Sequence, residues 1–104
     1  MKRTFQSIGG TSFHNTTINC SVSALIEVLG EPEYSGNDGE DKVNFEWEME
    51  TDGGDVFTVY DWKEYRTLDK NETIEWHIGG HNKMITEQAA NEVMKSIVRY
   101  LQDI

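Results

Sequence analysis

Two histidines, His77 and His81, stand four residues apart, which is the spacing of paired metal ligands on a helix. The two glycines between them and the alternating segment around His77 are typical of a strand and its end, so helical geometry does not apply. His14 and Cys20 would complete a four-ligand zinc set, but nothing in the sequence brings these residues together. We therefore expect no metal and no cofactor. A metal-dependent hydrolase is the weakest functional alternative.

The segment GGHNK, residues 79–83, leads from that strand into a predicted helix, whose first backbone N–H groups favour anions. It lacks the glycine spacing of known phosphate-binding loops, and its glycines would equally let the helix pack closely on the sheet. As an alternative function, the segment predicts an oligomeric small-molecule binder that sequesters a nucleotide immune signal. The ligand-binding residues would be Trp76, His77, His81, Asn82 and Lys83.

Other catalytic arrangements are not indicated. The 19 Asp and Glu residues are so abundant that no pair stands out as a general acid and base, which would need different environments. Cys20 lies beside a short predicted helix, far from the histidines that follow it, which is typical of a buried cysteine rather than a nucleophile. We expect a protein that is not an enzyme.

The acidity of the chain belongs to one region. Residues 31–75 hold 15 of the 19 acidic side chains but four of the nine basic ones, and the whole chain has a net charge of −10. Direct binding to nucleic acid is therefore unfavourable, because affinity for its backbone comes mostly from Lys and Arg. The same charge would steer the protein towards basic protein surfaces, including those that hold nucleic acid, or would serve solubility alone.

The length of 104 residues predicts a single globular domain, residues 1–104. No stretch approaches the roughly 18 apolar residues of a membrane span, and the N-terminal residues lack the apolar core of a secretion signal. One cysteine argues against a disulfide-stapled secreted domain. We expect a cytoplasmic protein that does not bind membranes.

Periodicity predicts the elements that position these residues. Apolar residues alternate in residues 43–50, 56–62 and 74–78, which indicates three strands, and residues 3–8 could add a fourth. Residues 21–30 and 86–101 have helical periodicity. The predicted N-cap is Ser21 or Asn19 for the first helix and Thr86 for the second. The fold class is therefore α+β: an antiparallel three- to four-stranded meander with two helices packed on one face. The apolar stripe of the last helix is Ala90, Val93, Met94, Ile97, Val98 and Leu101.

The turn at Asp52-Gly53 decides which side chains of the first two strands face the helices. As a two-residue turn it places Phe57, Val59 and Asp61 on the outer face and buries Tyr60 and Trp62. A three- or five-residue loop that also uses Gly54 would reverse this arrangement. We favour the two-residue turn.

With that turn, acidic residues surround two apolar ones on the outer face of the sheet. An apolar centre with a charged rim is typical of a partner-binding or dimerisation surface, although a solvated sheet face is equally common. The predicted partner-binding residues are Glu46, Glu48, Phe57, Val59, Asp61 and Glu75.

Four segments, GEPEY, DKVNFEWEME, FTVYDWK and IEWHIGGH, resemble a family of small, mostly uncharacterised proteins encoded by bacteriophages and prophages. The resemblance spans residues 25–81, and its motifs are structural rather than chemical. It implies expression in the cytoplasm of an infected bacterium and a role in host takeover or counter-defence. It does not identify catalytic residues.

Charge and resemblance together lead to one main hypothesis. We expect a non-enzymatic acidic binding protein of phage type that inhibits a host protein, either a defence protein or one that acts on nucleic acid. The acidic residues of the sheet face would supply charge, and Phe57 and Val59 would anchor the partner.

Overall fold

Two helices and six strands form the part of the chain that the computed structural model describes, residues 1–103. The strands are β1 (Lys2–Arg3), β2 (Ser12–Cys20), β3 (Tyr34–Ser35), β4 (Phe45–Glu50), β5 (Val56–Tyr60) and β6 (Ile74–Gly80), and the helices are α1 (Val22–Leu29) and α2 (Lys83–Gln102). The α+β class is confirmed. The sheet has more strands than predicted, because β2 is mostly polar and β1 and β3 are too short to show a period.

The sheet is antiparallel, in the order β1-β4-β5-β6-β2, with β3 also beside β4. Because β1 and β2 lie at opposite edges, residues 4–11 cross one face of the sheet, and we call them the N-terminal crossover. The backbone N–H of Thr4 donates to the Glu48 carbonyl, and the Gln6 amide donates to the Glu50 carboxylate and the Gly54 carbonyl. The crossover therefore covers part of the face that the helices leave open.

Two buried tryptophans hold α1 on the sheet. The rings of Trp47 and Trp76 meet edge to face at 5.5 Å. The Trp47 indole N–H donates to the Gly30 carbonyl at 2.8 Å, and that of Trp76 donates to the Cys20 carbonyl at 2.9 Å. Since these two carbonyls flank α1, both ends of the helix are fixed to the sheet. Side chains from both helices and from β2, β4, β5 and β6 form one core cluster.

The favoured hairpin register is wrong. Glu50 pairs with Val56 and Trp47 pairs with Val59, so residues 51–55 form a five-residue connection. Within it the Gly54 N–H donates to the Thr51 carbonyl at 2.9 Å, and Gly54 has a φ of +89°, a left-handed conformation that glycine adopts readily. The odd loop turns the whole of β5 over relative to the expectation.

The consequence is an exchange of buried and exposed side chains. Phe57, Val59 and Asp61, predicted on the outer face, are 0% exposed. Tyr60 and Trp62, predicted beneath the helices, lie on the outer face, where Trp62 is 41% exposed. The predicted apolar anchors of the binding surface are therefore core residues.

The start of α2 also differs from the prediction. The helix is capped by Asn82, whose side chain accepts from the Ile85 N–H at 2.9 Å, so Thr86 is not the N-cap. Thr86 is buried instead, with its hydroxyl 2.7 Å from that of Thr16 on β2. The cap of α1 agrees with the prediction, since Ser21 accepts from the Ala24 N–H at 3.1 Å.

A buried polar network joins the loops that flank β4 and β5. The Asp61 carboxylate accepts from the backbone N–H groups of Asn44 and Phe45, both at 2.8 Å, and from the Asn44 amide at 3.0 Å. That amide also donates to the Arg66 carbonyl, and the Asn44 side-chain oxygen accepts from the Gly39 N–H. Within residues 1–103 no buried side-chain polar atom lacks a partner. A network satisfied in this way fixes a single arrangement of its loops.

Replacing Asp61 with alanine should lower the free energy of unfolding by about 3 kcal/mol or more, because three buried donors lose their acceptor. Urea unfolding followed by far-UV circular dichroism would measure the loss. The matched control is Asp55→Ala, which removes an equal charge from an exposed loop position and should change stability by less than about 0.5 kcal/mol. Equal stability of the two variants would contradict the structural role of the network.

The register makes a second prediction. Phe57→Ala should cost about 3 to 5 kcal/mol, because it leaves a cavity in the core. Trp62→Ala removes a larger side chain from the outer face and should cost only about 1 kcal/mol. The same unfolding measurement compares the two variants. A larger cost for Trp62→Ala would mean that the two-residue turn is the correct one.

Candidate functional site

Four rings cluster on the face of the sheet that the helices do not cover. Phe13 stacks on His77 with ring centroids 3.9 Å apart and planes 11° apart. Tyr60 lies 5.5 Å from His77 and 6.1 Å from Trp62, and Trp62 lies 6.3 Å from His77. We call Phe13, Tyr60, Trp62 and His77 the aromatic shelf. It is a partly exposed ring surface, of a kind suited to stacking or cation–π contacts.

Local sequence explains how the shelf is built. In the segment YDW, strand alternation directs Tyr60 and Trp62 outward and Asp61 inward, where its buried hydrogen bonds hold the segment in place. Lys63 then has a φ of +56°, and its N–H donates to the Lys42 carbonyl at 2.7 Å. The chain therefore turns directly after Trp62 and leaves that side chain at the end of the strand.

The remaining rings come from β6 and β2. His77 pairs with Tyr60 on β5, which in turn pairs with Glu46 on β4, so these three residues form one row across the sheet. The register of β2 against β6 shifts between Phe13 and Thr17. The shift contains Asn15, whose φ is +64°, and it places the Phe13 ring over His77.

A cleft of about 240 Å³ lies beside the shelf. Its lining comes from the crossover, from β2, from the shelf and from the strands beneath: Ile8, Thr11, Ser12, Val43, Glu46, Thr58, Tyr60, Trp62 and Gly79. A Cβ at Gly79 would collide with the Thr58 hydroxyl and lie 3.5 Å from the Tyr60 ring, so the floor of the cleft requires glycine. The cleft can admit one side chain of a partner or a small ligand.

The Glu46 carboxylate is the unusual charge of this cleft. Burial raises its pKa, and the nearby charges of Glu48 and Glu33 raise it further. Glu33 has its own counterion, since it pairs with Arg3 at 2.7 Å. No basic group within residues 1–103 forms an ion pair with Glu46. A half-buried carboxylate without a counterion favours a cationic ligand.

Burial also favours the neutral forms of the other titratable groups of the shelf. Burial lowers the pKa of His77, which keeps its imidazole uncharged, and burial raises the pKa of Tyr60, which keeps its hydroxyl protonated. The ammonium groups of Lys42 and Lys63 lie 5.9 and 5.5 Å from the centre of the Trp62 ring. They show that this ring already accommodates cations from the chain itself.

The predicted partner-binding residues divide into two groups. Glu46, Glu48 and Glu75 lie on the outer face, and Glu46 is part of the cleft. Phe57, Val59 and Asp61 are buried, so their predicted roles as surface anchors and exposed charge are wrong. Sequence reasoning missed Phe13, Tyr60 and Trp62 as surface residues. For Tyr60 and Trp62, the alternation of YDW combined with a hairpin loop of odd length predicts side chains that face outward.

The predicted nucleotide-binding residues do not converge on one site. Trp76 is fully buried in the core, so its role as a stacking group is wrong. Asn82 caps α2, and Lys83 donates to the His14 carbonyl at 3.0 Å. His81 is exposed, whereas His77 belongs to the aromatic shelf.

Gly80, the second residue of the segment GGHNK, has a packing role. A Cβ at Gly80 would lie 2.9 Å from the Thr86 methyl group and 3.4 Å from that of Ile85. Glycine therefore allows the first turn of α2 to lie directly on β6. Close packing of the helix on the sheet was the other interpretation that the sequence allowed for the glycines of GGHNK, beside phosphate binding.

The groups considered for zinc or nucleophilic chemistry are also apart. Within residues 1–103 no three His, Cys, Asp or Glu side chains form a group that could hold a metal ion. Burial raises the pKa of the Cys20 thiol to about 12, so this residue stays protonated and is a poor nucleophile.

Comparison of the chain with protein families, with curated proteins and with solved structures finds no match. Among residues 1–103, no helix is both long enough and apolar enough to span a membrane.

Replacing Glu46 with glutamine should raise the melting temperature at pH 7. The pKa of Glu46 is higher in the folded state than in the unfolded state, so the protonated carboxyl favours folding. This contribution to stability is complete below the pKa of the unfolded state and is lost as the pH rises through the pKa of the folded state. The gain from Glu46→Gln should therefore disappear at about pH 3 and below, where the carboxyl is protonated in both states. Thermal unfolding at both pH values measures this.

The matched control is Glu75→Gln, which removes one charge from an exposed position on the same face. It should change the melting temperature little at either pH. An equal gain from both variants would show that general charge repulsion, and not the burial of Glu46, destabilises the protein at pH 7.

Proposed function

We propose that the chain is a non-enzymatic binding protein that holds a basic side chain of a partner protein in the cleft beside the aromatic shelf. One observation supports this most strongly: Glu46 is a half-buried carboxylate without a counterion within residues 1–103, and it lies in a cleft lined by Tyr60 and Trp62. A cation would relieve the repulsion among the carboxylates and contact the aromatic rings at the same time.

Arginine fits this cleft better than lysine. Its planar guanidinium can stack on an aromatic ring while it donates two hydrogen bonds to a carboxylate, whereas an ammonium group acts as a point charge. The carboxylate of Glu48 lies next to that of Glu46 on the same face of β4 and can share the contact.

The charge of the whole molecule supports a basic partner surface. The net charge of −10, with most acidic residues in the region that forms β4, β5 and their loops, attracts such a surface and repels nucleic acid. The resemblance to phage proteins extends the proposal to its context. The partner is a host protein, for defence or for action on nucleic acid, that the chain inhibits in the cytoplasm of an infected bacterium.

Fluorescence anisotropy with labelled peptides tests the proposal directly. Peptides of one sequence that differ only in a central Arg, Lys or Gln should bind in the order Arg, Lys, Gln. Glu46→Gln should lower the affinity for the Arg peptide by about tenfold or more, because it removes a charge-assisted hydrogen bond. Trp62→Ala should lower the same affinity by about threefold or more, because it removes a cation–π contact.

Two controls make the result specific. Glu75→Gln removes an equal charge outside the cleft and should leave the affinity for the Arg peptide within about threefold. The Gln peptide should bind all variants alike. Equal affinity of wild type and Glu46→Gln for the Arg peptide would overturn the proposal. Binding that weakens equally in Glu46→Gln and Glu75→Gln would reduce it to a general charge effect.

Nucleotide binding is a second candidate, favoured by the Lys42 and Lys63 ammonium groups beside the Trp62 ring. A base could stack on Trp62 while these lysines contact phosphate. Cyclic dinucleotides and ADP-ribose derivatives would then raise the melting temperature of the wild type and of Glu46→Gln, but not that of Trp62→Ala. The basic-side-chain proposal expects no such shift.

A further inference from the structure

Helix α2 has a second row of side chains beside its core-facing row; most of them are exposed, and Met94 is half-buried against the core cluster. Val93 and Ile97 face the sheet and are buried, whereas Val98 is 49% and Leu101 is 55% exposed. The outer row continues towards the start of the helix at intervals of three and four residues: Met84, Glu87, Asn91, Met94, Val98 and Leu101. We call these six residues the outer stripe. The alternating intervals of three and four residues place these side chains on one face of the helix, where a second helix can pack.

Three residues of the outer stripe, Asn91, Met94 and Val98, line a groove of about 420 Å³ together with Lys95, Arg99 and Gln102. Residues 83–102 carry three basic and two acidic side chains, whereas the whole chain has a net charge of −10. Two copies of this acidic protein therefore repel each other least where their α2 helices meet.

We propose that the outer stripe is the interface of a homodimer in which two α2 helices pack antiparallel around a two-fold axis. In this arrangement Met84 faces Leu101 of the second copy, Glu87 faces Val98, and Asn91 faces Met94. Each α2 has 20 residues and is about 30 Å long, so the contact can extend along the whole helix. A two-fold interface uses the same surface of both copies, so the assembly contains two copies and does not grow further.

Charge determines the direction of the helices. Glu87 lies in the first half of the outer stripe, whereas Lys95 lies beside its second half. The antiparallel pairing brings Glu87 next to Lys95 of the second copy, and symmetry repeats the contact. A parallel pairing would oppose Glu87 to Glu87 and Lys95 to Lys95, which is unfavourable.

The dimer leaves the aromatic shelf accessible. The helix packs on β2, β5 and β6 from the face that carries the core, and the shelf lies on the other face of the sheet. Both clefts of the dimer would point away from the interface. A partner with two basic sites could then be held by both copies, which raises the overall affinity. The dimer itself does not depend on the proposed function of the cleft.

Analytical ultracentrifugation of the full chain over a concentration series tests the interface. The wild type should shift from monomer to dimer mass, and Val98→Glu should remain monomeric over the same range with an unchanged far-UV spectrum. Phe5→Glu is the matched control, because it places the same charge on another exposed apolar residue, 96% accessible and outside α2. It should dimerise like the wild type.

Charge reversal tests the direction of the helices. Glu87→Lys and Lys95→Glu should each raise the dimer dissociation constant by about fivefold or more, since each creates two like-charge contacts. The double variant should restore it to within about threefold. A wild type that stays monomeric up to about 1 mM, a Val98→Glu variant that still dimerises, or a double variant no better than the singles would overturn the proposal.

Discussion

The carboxylate of Asp61 is buried at the end of β5, where it accepts three hydrogen bonds from Asn44 and Phe45. A charged group in such a position is tolerated only because its acceptor capacity is used. The same bonds join the end of β5 to the start of β4 and, through Asn44, to the loop that contains Arg66. Because strand side chains alternate, an inward Asp61 requires its two neighbours to face outward. The outward direction of Tyr60 and Trp62 is therefore a consequence of one buried carboxylate.

The two faces of the sheet differ in how completely other parts of the chain cover them. One face is covered by α1 and α2, with Trp47 and Trp76 bonded to the carbonyls that flank α1. Residues 4–11 cross the other face, because β1 and β2 lie at opposite edges, and they cover it only in part. This incomplete cover leaves the cleft with its Glu46 carboxylate and the aromatic shelf beside it. The site proposed for a basic partner is thus the part of the sheet that the fold leaves without a second layer.

Several elements of the fold were predictable from local patterns. The alternation in residues 43–50, 56–62 and 74–78 corresponds to β4, β5 and β6, and Ser21 and Gly30 bound α1 as expected. The polar strand β2 was not predictable, since it has little apolar alternation and is stabilised by pairing with β6. Glu46 was predicted as a binding residue because it is acidic on a strand. Its burial, its lack of a counterion within residues 1–103 and its aromatic neighbours could not be predicted, since they come from other strands.

The sequence by itself determined the α+β class, the acidity of the central region and the positions of the main strands and helices, because composition and periodicity depend only on neighbouring residues. The tertiary structure decided which face of each strand is exposed. That choice depends on a register shift of one residue at the connection 51–55, where Gly54 is left-handed, and on whether Asp61 finds donors in a distant segment. A change of one residue in register exchanges every side chain of a strand between core and surface. For this reason Phe57 and Val59 became core residues, and Tyr60 and Trp62 became the surface of the candidate site.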